Sequence, residues 1–280
     1  MLLAIDARNR SIYVGFRSGG KWLARKRIAS SPARSADEYA LLLGAFAREI
    51  SGVVGGTNYV GEAWISSVVP SLTRDIRGAV ESAFGVPCSV VGPGLRTGVR
   101  LRVDVPSEVG SDLVCAAVAA ADIAKRAAVV VHFDAAIAFS ALGRTGDFLG
   151  AAIAPGFNTG IESLRASAAL LPEVALGQSF VRDGPPASGI GQAIGKNTAQ
   201  SVRAGVLLGY TGLVERIVGA QVAELVASGE ADASGDVAIL GSGGEEGRAI
   251  FAELGIGQFV PDLVLEGLAL IAERSPHVSP

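Results

Sequence analysis

The sequence predicts an α/β protein made of two copies of one plan, and three observations carry that expectation. Strand-like and helix-like segments alternate between Ala63 and Gly92, as in a partly parallel sheet with helices packed on it. The layout strand, short loop, strand, glycine turn, strand at residues 1–30 returns from Ala127 to Gly156. A length of 280 residues suits two modest domains, and the expected division is 1–115 and 116–280.

In the first copy, LLAID, SIYVGF and KWLARKRIA alternate as antiparallel strands, joined by the loop Arg8 to Arg10 and the turn Ser18-Gly19-Gly20. DEYALLLGAFAREI has an acidic start and apolar residues three and four apart, which predicts an amphipathic helix after Ser35. AWISSVVP then reads as a buried strand, SLTRDIRGAVESAFG as a helix, CSVVG as a strand, and Ser107 to Arg126 as an Ala- and Val-rich helix. The second meander, AVVVHFDAAIAFSALGRTGDFLGAAIAPG, is followed by expected helices at Thr159–Leu170, Asn197–Ser228 and Asp262–Glu273. A strand, DVAILGSGG, precedes the last of them and runs into a glycine turn. In this register Asp6 matches His132, Arg8 matches Asp134 and Asn9 matches Ala135, and the two loops are expected to face each other across a cleft.

Composition narrows the function. Lys plus Arg number 24 against 27 Asp plus Glu, a net charge of -3 with neither sign gathered in one block, so binding nucleic acid through a basic surface is not expected. Mean hydropathy is +0.42, but the apolar runs are broken well before the roughly 18 residues of a membrane span. The start, MLLAIDARNR, lacks a basic leader and a cleavage pattern, so the expectation is cytoplasmic, with no membrane partner. Cys88 and Cys115 are too few for a disulfide framework and read as buried thiols. With only His132 and His277, the latter in a Pro-flanked tail expected to be disordered, His/Cys metal sites and Ser-His-Asp hydrolysis have little to work with.

The glycine signals are weak taken singly. GSGGEEG has Glu246 where a dinucleotide fingerprint needs its last glycine, and IGKNT lacks the upstream glycine spacing of a Walker loop. A strand running into Gly243 and Gly244 still offers backbone that a nucleotide can approach closely.

Taken together, LLAID, ADEYALLL, ISSVVPSLT, VVGPGLRTGVRLRVDVPSEVGSD, FLGAAIAPG, IGKNTAQSVRAGVLLGYTGLVERI and VPDLVLEGLALIAER resemble the type III pantothenate kinase family, also called the Bvg accessory factor family. The resemblance runs in order from the first residues to the last helix. It implies two duplicated ribonuclease H-like domains of the acetate and sugar kinase, heat-shock protein and actin superfamily, with ATP held in the cleft between them.

Carried over residue by residue, the resemblance is uneven. The family's Asp-x-Gly-Asn-Thr phosphate loop stands here as Asp6-Ala7-Arg8-Asn9-Arg10, which keeps Asp6, implied to organise magnesium and phosphate, and Asn9. Arg8 and Arg10 replace its glycine and threonine, and Arg8 brings a Cβ and a long side chain where backbone N–H groups would wrap phosphate. The second loop, Asp-Phe-Gly-Thr-Ala, is His132-Phe133-Asp134-Ala135-Ala136. The monovalent-cation aspartate is thus His132, and Asp134 puts a negative charge near the expected phosphates. The family's Gly-x-Asp-Arg is Gly110-Ser111-Asp112-Leu113, keeping the implied general base Asp112 and losing the substrate-holding arginine to Leu113. A family tyrosine upstream is Val103, while Thr198 matches a substrate-contacting threonine.

Each of these residues also has an ordinary structural reading: Asp6 as a turn former, Asp112 as a solvated or capping carboxylate, His132 as a core histidine. The substitutions suggest an ion pair of Arg8 and Arg10 with Asp134 filling the phosphate space. Two functions follow. One is a catalytically degenerate homologue with no required cofactor, acting as regulator, sensor or partner subunit. The other is an active kinase for pantothenate or another small hydroxy acid, using ATP, magnesium and a monovalent cation. The family implies a homodimer; a further protein partner belongs to the first reading, and no DNA-reading helix with a basic face is present.

Overall fold

The computed structural model describes residues 1–31, 33–54, 59–168 and 193–275. Leu2–Ala7 (β1) is buried along its whole length and forms the middle of the first sheet, which is why it reads as a continuous apolar run. It pairs antiparallel with Ser11–Ser18 (β2), which pairs antiparallel with Lys21–Ala29 (β3). After Ala36–Val54 (α1), Glu62–Ser67 (β4) returns parallel to β1, and after Pro70–Phe84 (α2), Cys88–Val90 (β5) lies parallel to β4. The sheet order is β3-β2-β1-β4-β5. Its free edge, β3, carries Lys21, Arg25, Lys26 and Arg27, charges that discourage a further strand from adding.

Local chemistry sets the helix ends. Ser35 and Glu38 form a reciprocal cap on α1: the Glu38 N–H donates to Ser35 Oγ (3.3 Å) and the Ser35 N–H to Glu38 Oε2 (2.7 Å). Pro70 opens α2, and Gly85, at φ 65°, closes it in the left-handed conformation that glycine adopts without strain. Leu72, Ile76, Ala79 and Val80 turn one face of α2 inward.

A 3₁₀ turn at Pro106–Glu108 and extended Val109 precede Ser111–Ala124 (α3), so the expected helix starts four residues later than its sequence suggested. The second sheet repeats the first. Ala128–Phe133 (β6) is its buried centre, antiparallel to Ala136–Leu142 (β7), which pairs antiparallel with Phe148–Pro155 (β8). Phe157–Ser167 (α4) follows; the expected end of that helix, and His277, lie outside the described residues. Thr198–Ala227 (α5) then leads to Ala238–Gly243 (β9), parallel to β6. Glu245–Leu254 (α6), Gln258–Phe259 (β10) and Leu263–Arg274 (α7) are the last elements among the described residues, α6 and β10 being elements the sequence did not announce. The order β10-β9-β6-β7-β8 is the first sheet's order met from the other side, which gives the expected duplication a structural form.

Two compact units result: Met1–Ala119 with the described part of Leu263–Pro280, and Ala120–Asp262. The expected boundary at 115/116 thus moves a turn along α3, and α7, assigned by sequence to the second half, packs on β1, β2 and β4 of the first. Glu266 of α7 accepts from Trp22 Nε1 (2.9 Å) and pairs with Arg25 (2.5 Å), while Glu273 pairs with Arg17 (2.5 Å).

Helix α5 has the length and apolar content of a membrane span. Its inward residues, Ala204, Leu207, Thr211, Val214, Val218, Val222 and Leu225, recur every three or four positions, and Val214, Val218, Val222 and Leu225 join the second unit's core with Phe133, Phe157 and Phe251. That is the periodicity of an amphipathic helix against a core. Asn197 caps its start by accepting from the Gln200 N–H (2.9 Å).

Candidate functional site in two units

In the first unit the candidate residues gather where β1 and β4 end, the end of an open parallel sheet at which ligands bind. Asp6 is the penultimate residue of β1, fully buried, and lies in register with Ser66 of β4. Arg8 is also buried, and its guanidinium folds back on Asp6, with Nε at 2.6 Å and Nη2 at 2.5 Å from the same Oδ2. The Tyr13 ring lies under that guanidinium at 4.6 Å from its centroid. Arg8 thus has a carboxylate partner that its sequence position had not announced. Asn9 and Arg10 are exposed at the tip of the turn, which the Arg8 N–H closes on the Ser11 carbonyl (3.0 Å).

Asp112 sits in the first turn of α3, half-buried, and its Oδ1 accepts from the Leu113 N–H at 2.9 Å, as a helix-start carboxylate does. Gly110 leaves room for it: a Cβ there would come within 2.5 Å of that oxygen. Ser111 ties this helix end to the strand, bonding Ser66 Oγ (3.1 Å), the Ser67 N–H (2.9 Å) and the Ser67 carbonyl (3.0 Å). Separately, the Thr73 hydroxyl donates to Ser67 Oγ at 2.7 Å. Leu113 and Val103 are partly buried.

Cys115 reports the convergence. Burial pushes its thiol well above the usual range, and the charges of Asp6 and Asp112 push it the same way while a hydrogen bond from Ser66 opposes them. Both retained aspartates therefore act on one buried thiol. Burial likewise pushes Cys88 up to about 12, so at pH 8 neither thiol holds appreciable thiolate. Iodoacetamide at pH 8 is expected to leave both cysteines intact in the folded chain and to label both in denaturant, as read by intact mass; labelling of folded Cys115 would contradict this placement.

In the second unit His132 is the penultimate residue of β6, buried between Ala138 and Ser242, so it occupies the place of a core histidine. Ser242 mirrors Ser66, and its hydroxyl donates to the Pro261 carbonyl at 3.1 Å. Asp134 and Ala135 form the partly buried turn after β6; Gly156 N–H and Thr159 Oγ1 both donate to the Ala135 carbonyl, at 3.0 and 2.7 Å. Gly243 has φ 111°, and a Cβ on it would overlap the Phe133 carbonyl, so the strand end admits only glycine.

Gly244 is the N-cap of α6, whose first turn holds Glu245 and Glu246. A Cβ on Gly244 would lie 2.6 Å from Glu246 Oε2, so that carboxylate covers the helix start. Arg248 pairs with Glu245 at 3.2 Å. Thr198 is exposed at the first position of α5.

Sequence reading missed Glu245, Ser66, Ser111 and the Asp6 contact of Arg8. The serines left a signal in the pair Ser66-Ser67 at a strand end. Glu245 could have been found from two acidic residues following a strand and two glycines, the start of a helix.

Two α/β units with the same strand order, each with a loop after its central strand, make the duplicated fold of the acetate and sugar kinase, heat-shock protein and actin class. The family model for type III pantothenate kinase matches residues 2–220. Type III pantothenate kinases of Moorella thermoacetica and Saccharopolyspora erythraea are 36% and 37% identical to the chain, covering 98% of it and 100% and 99% of their own lengths. The chain belongs to the type III pantothenate kinase family. Among solved structures, a Baf family protein of Campylobacter jejuni shares the fold at TM-score 0.55 and 14% identity, with 98% of each chain covered.

Proposed function

We propose that this chain is a pantothenate kinase homologue with an impaired nucleotide half, serving as a regulatory, sensing or partner subunit in place of turnover. The supporting observation is the charge at the strand ends of the second unit. Phe133 and Gly243 are register partners, so Asp134, Glu245 and Glu246 all follow directly from the same end of neighbouring strands. A helix N-terminus attracts anions, and here the chain's own carboxylates occupy that field. A polyphosphate would meet like charge where phosphoryl transfer depends on positioning and positive charge.

The test is MgATP calorimetry together with coupled ADP release over pantothenate and a panel of small hydroxy acids. The expected result is no millimolar-or-tighter MgATP binding and no substrate-dependent ADP, with binding gained in the double variant Asp134→Gly, Glu246→Gln. Tight MgATP binding or turnover by the natural chain sinks this reading.

A second reading is favoured by the relatives' identity over the whole chain. In it the chain is a working kinase of coenzyme A biosynthesis that uses ATP, magnesium and a monovalent cation, with Asp112 taking the proton of the substrate hydroxyl. Pantothenate-dependent ADP release, lost in Asp112→Asn, selects it. Both readings carry the expectation of a cytoplasmic homodimer, which light scattering checks for the assembly.

A further inference from the structure

We propose that Arg8 is the resident counter-ion of Asp6 and closes this strand end to divalent cations, so that any ligand of the first unit binds without a metal on Asp6. The inference stands apart from whether the chain turns over pantothenate, because it concerns only the occupant of one carboxylate.

Three observations carry it. The Asp6 carboxylate is 0% exposed and Arg8 2%, so the charge sits out of water and requires a partner held close. Two N–H groups of one guanidinium, Nε at 2.6 Å and Nη2 at 2.5 Å, converge on Oδ2 and place a full positive charge against the carboxylate. The guanidinium is held in place from two further sides. The Tyr13 ring faces it at 4.6 Å, and the Arg8 N–H bond to Ser11 O (3.0 Å) fixes the turn that directs the side chain back along the strand.

Magnesium has opposite requirements. It takes six oxygens in near-ideal octahedral geometry and keeps several of its waters, which a carboxylate with no solvent exposure does not admit. The residues at Asp6 therefore do not fit a divalent ion, and the fixed positive charge of Arg8 stands in its place.

Manganese(II) is the probe, because it reports binding without any activity. By water-proton relaxation, the natural chain and Asp6→Asn are expected to give the same Mn²⁺ isotherm. Arg8→Gly is expected to gain a site at least about tenfold tighter than any in the natural chain, lost again in the double variant Arg8→Gly, Asp6→Asn. Arg8→Gln, which keeps a donor and removes the charge, serves if Arg8→Gly does not fold.

A measurement on the natural chain needs no variant at the pair. With fluorotyrosine incorporated and the signal assigned through Tyr13→Phe, the Tyr13 line stays sharp in Mn²⁺ if Asp6 is closed. Selective broadening of Tyr13 relative to Tyr39, or a natural-chain Mn²⁺ site that Asp6→Asn removes, overturns the proposal. So does a folded Arg8→Gly or Arg8→Gln that gains no site.

Discussion

Gly267→Ala is expected to destabilise the chain by about 3 kcal/mol, because the added carbon would fall inside the Cys115 carbonyl where α7 crosses α3. Neither helix can yield cheaply at this contact. Cys115 is fully buried, and Leu263, Val264, Leu268 and Ile271, which flank Gly267 on α7, are equally inside. At this chain length the loss corresponds to a fall in Tm on the order of 6–12 °C. Urea unfolding with an unchanged slope checks the number. Gly219→Ala is the control: on α5 a Cβ at Gly219 meets nothing within 4 Å, so relief from a helical glycine should stabilise by up to about 1 kcal/mol. Equal midpoints for Gly267→Ala and the natural chain would mean that the helices do not cross at this distance.

Phe133→Ala is expected to cost about 3–5 kcal/mol, the range for emptying a buried aromatic site. The ring lies 6.1 Å from Phe157, 6.0 Å from Phe251 and 6.5 Å from Phe259, centroid to centroid, and one edge fills the space that Gly247 leaves. Its main chain pairs with Gly243, so the cavity opens beneath the strand ends that present Asp134 and Gly244. Phe133→Leu, which keeps most of the volume, should lose well under half as much by the same urea measurement. Similar losses for the two variants would indicate that the ring geometry contributes little.

The meanders were legible because glycine turns and alternation act over a few residues: β1 to β3 and β6 to β8 fall where the sequence places them. Helix α6 was not. Its ten residues include Gly247, and Ile250, Phe251 and the partly buried Leu254 anchor it to the core, so its stability comes from tertiary packing and not from a long visible stripe. The late start of α3 has a local cause, since Pro106 opens a 3₁₀ turn and Val109 is extended before the helix begins. The place of α7 on the first sheet could not be read at all, because periodicity says which face is buried and not against what.

At the site, Asp6 and Asp112 stood out through family resemblance, and the charges of both push the buried Cys115 thiol up. The Asp112 carboxylate lies at a helix start, as its ordinary reading has it, while Asp6 sits inside β1 in an ion pair with Arg8 and not in a turn. The Asp6 contact of Arg8 was available in principle, since residues two apart on an extended chain point to the same side. What hid it was the reading of Arg8 as a replacement for glycine, which directed attention to missing backbone and away from the side chain's nearest acid.

The first unit is discontinuous along the chain, and this orders events during synthesis. Its sheet emerges from the ribosome early, but the helix that covers β1, β2 and β4 is made only after the second unit. The apolar face awaiting α7 therefore stays uncovered while the entire second unit is translated and free to fold, which makes the nascent first half the natural client of a chaperone.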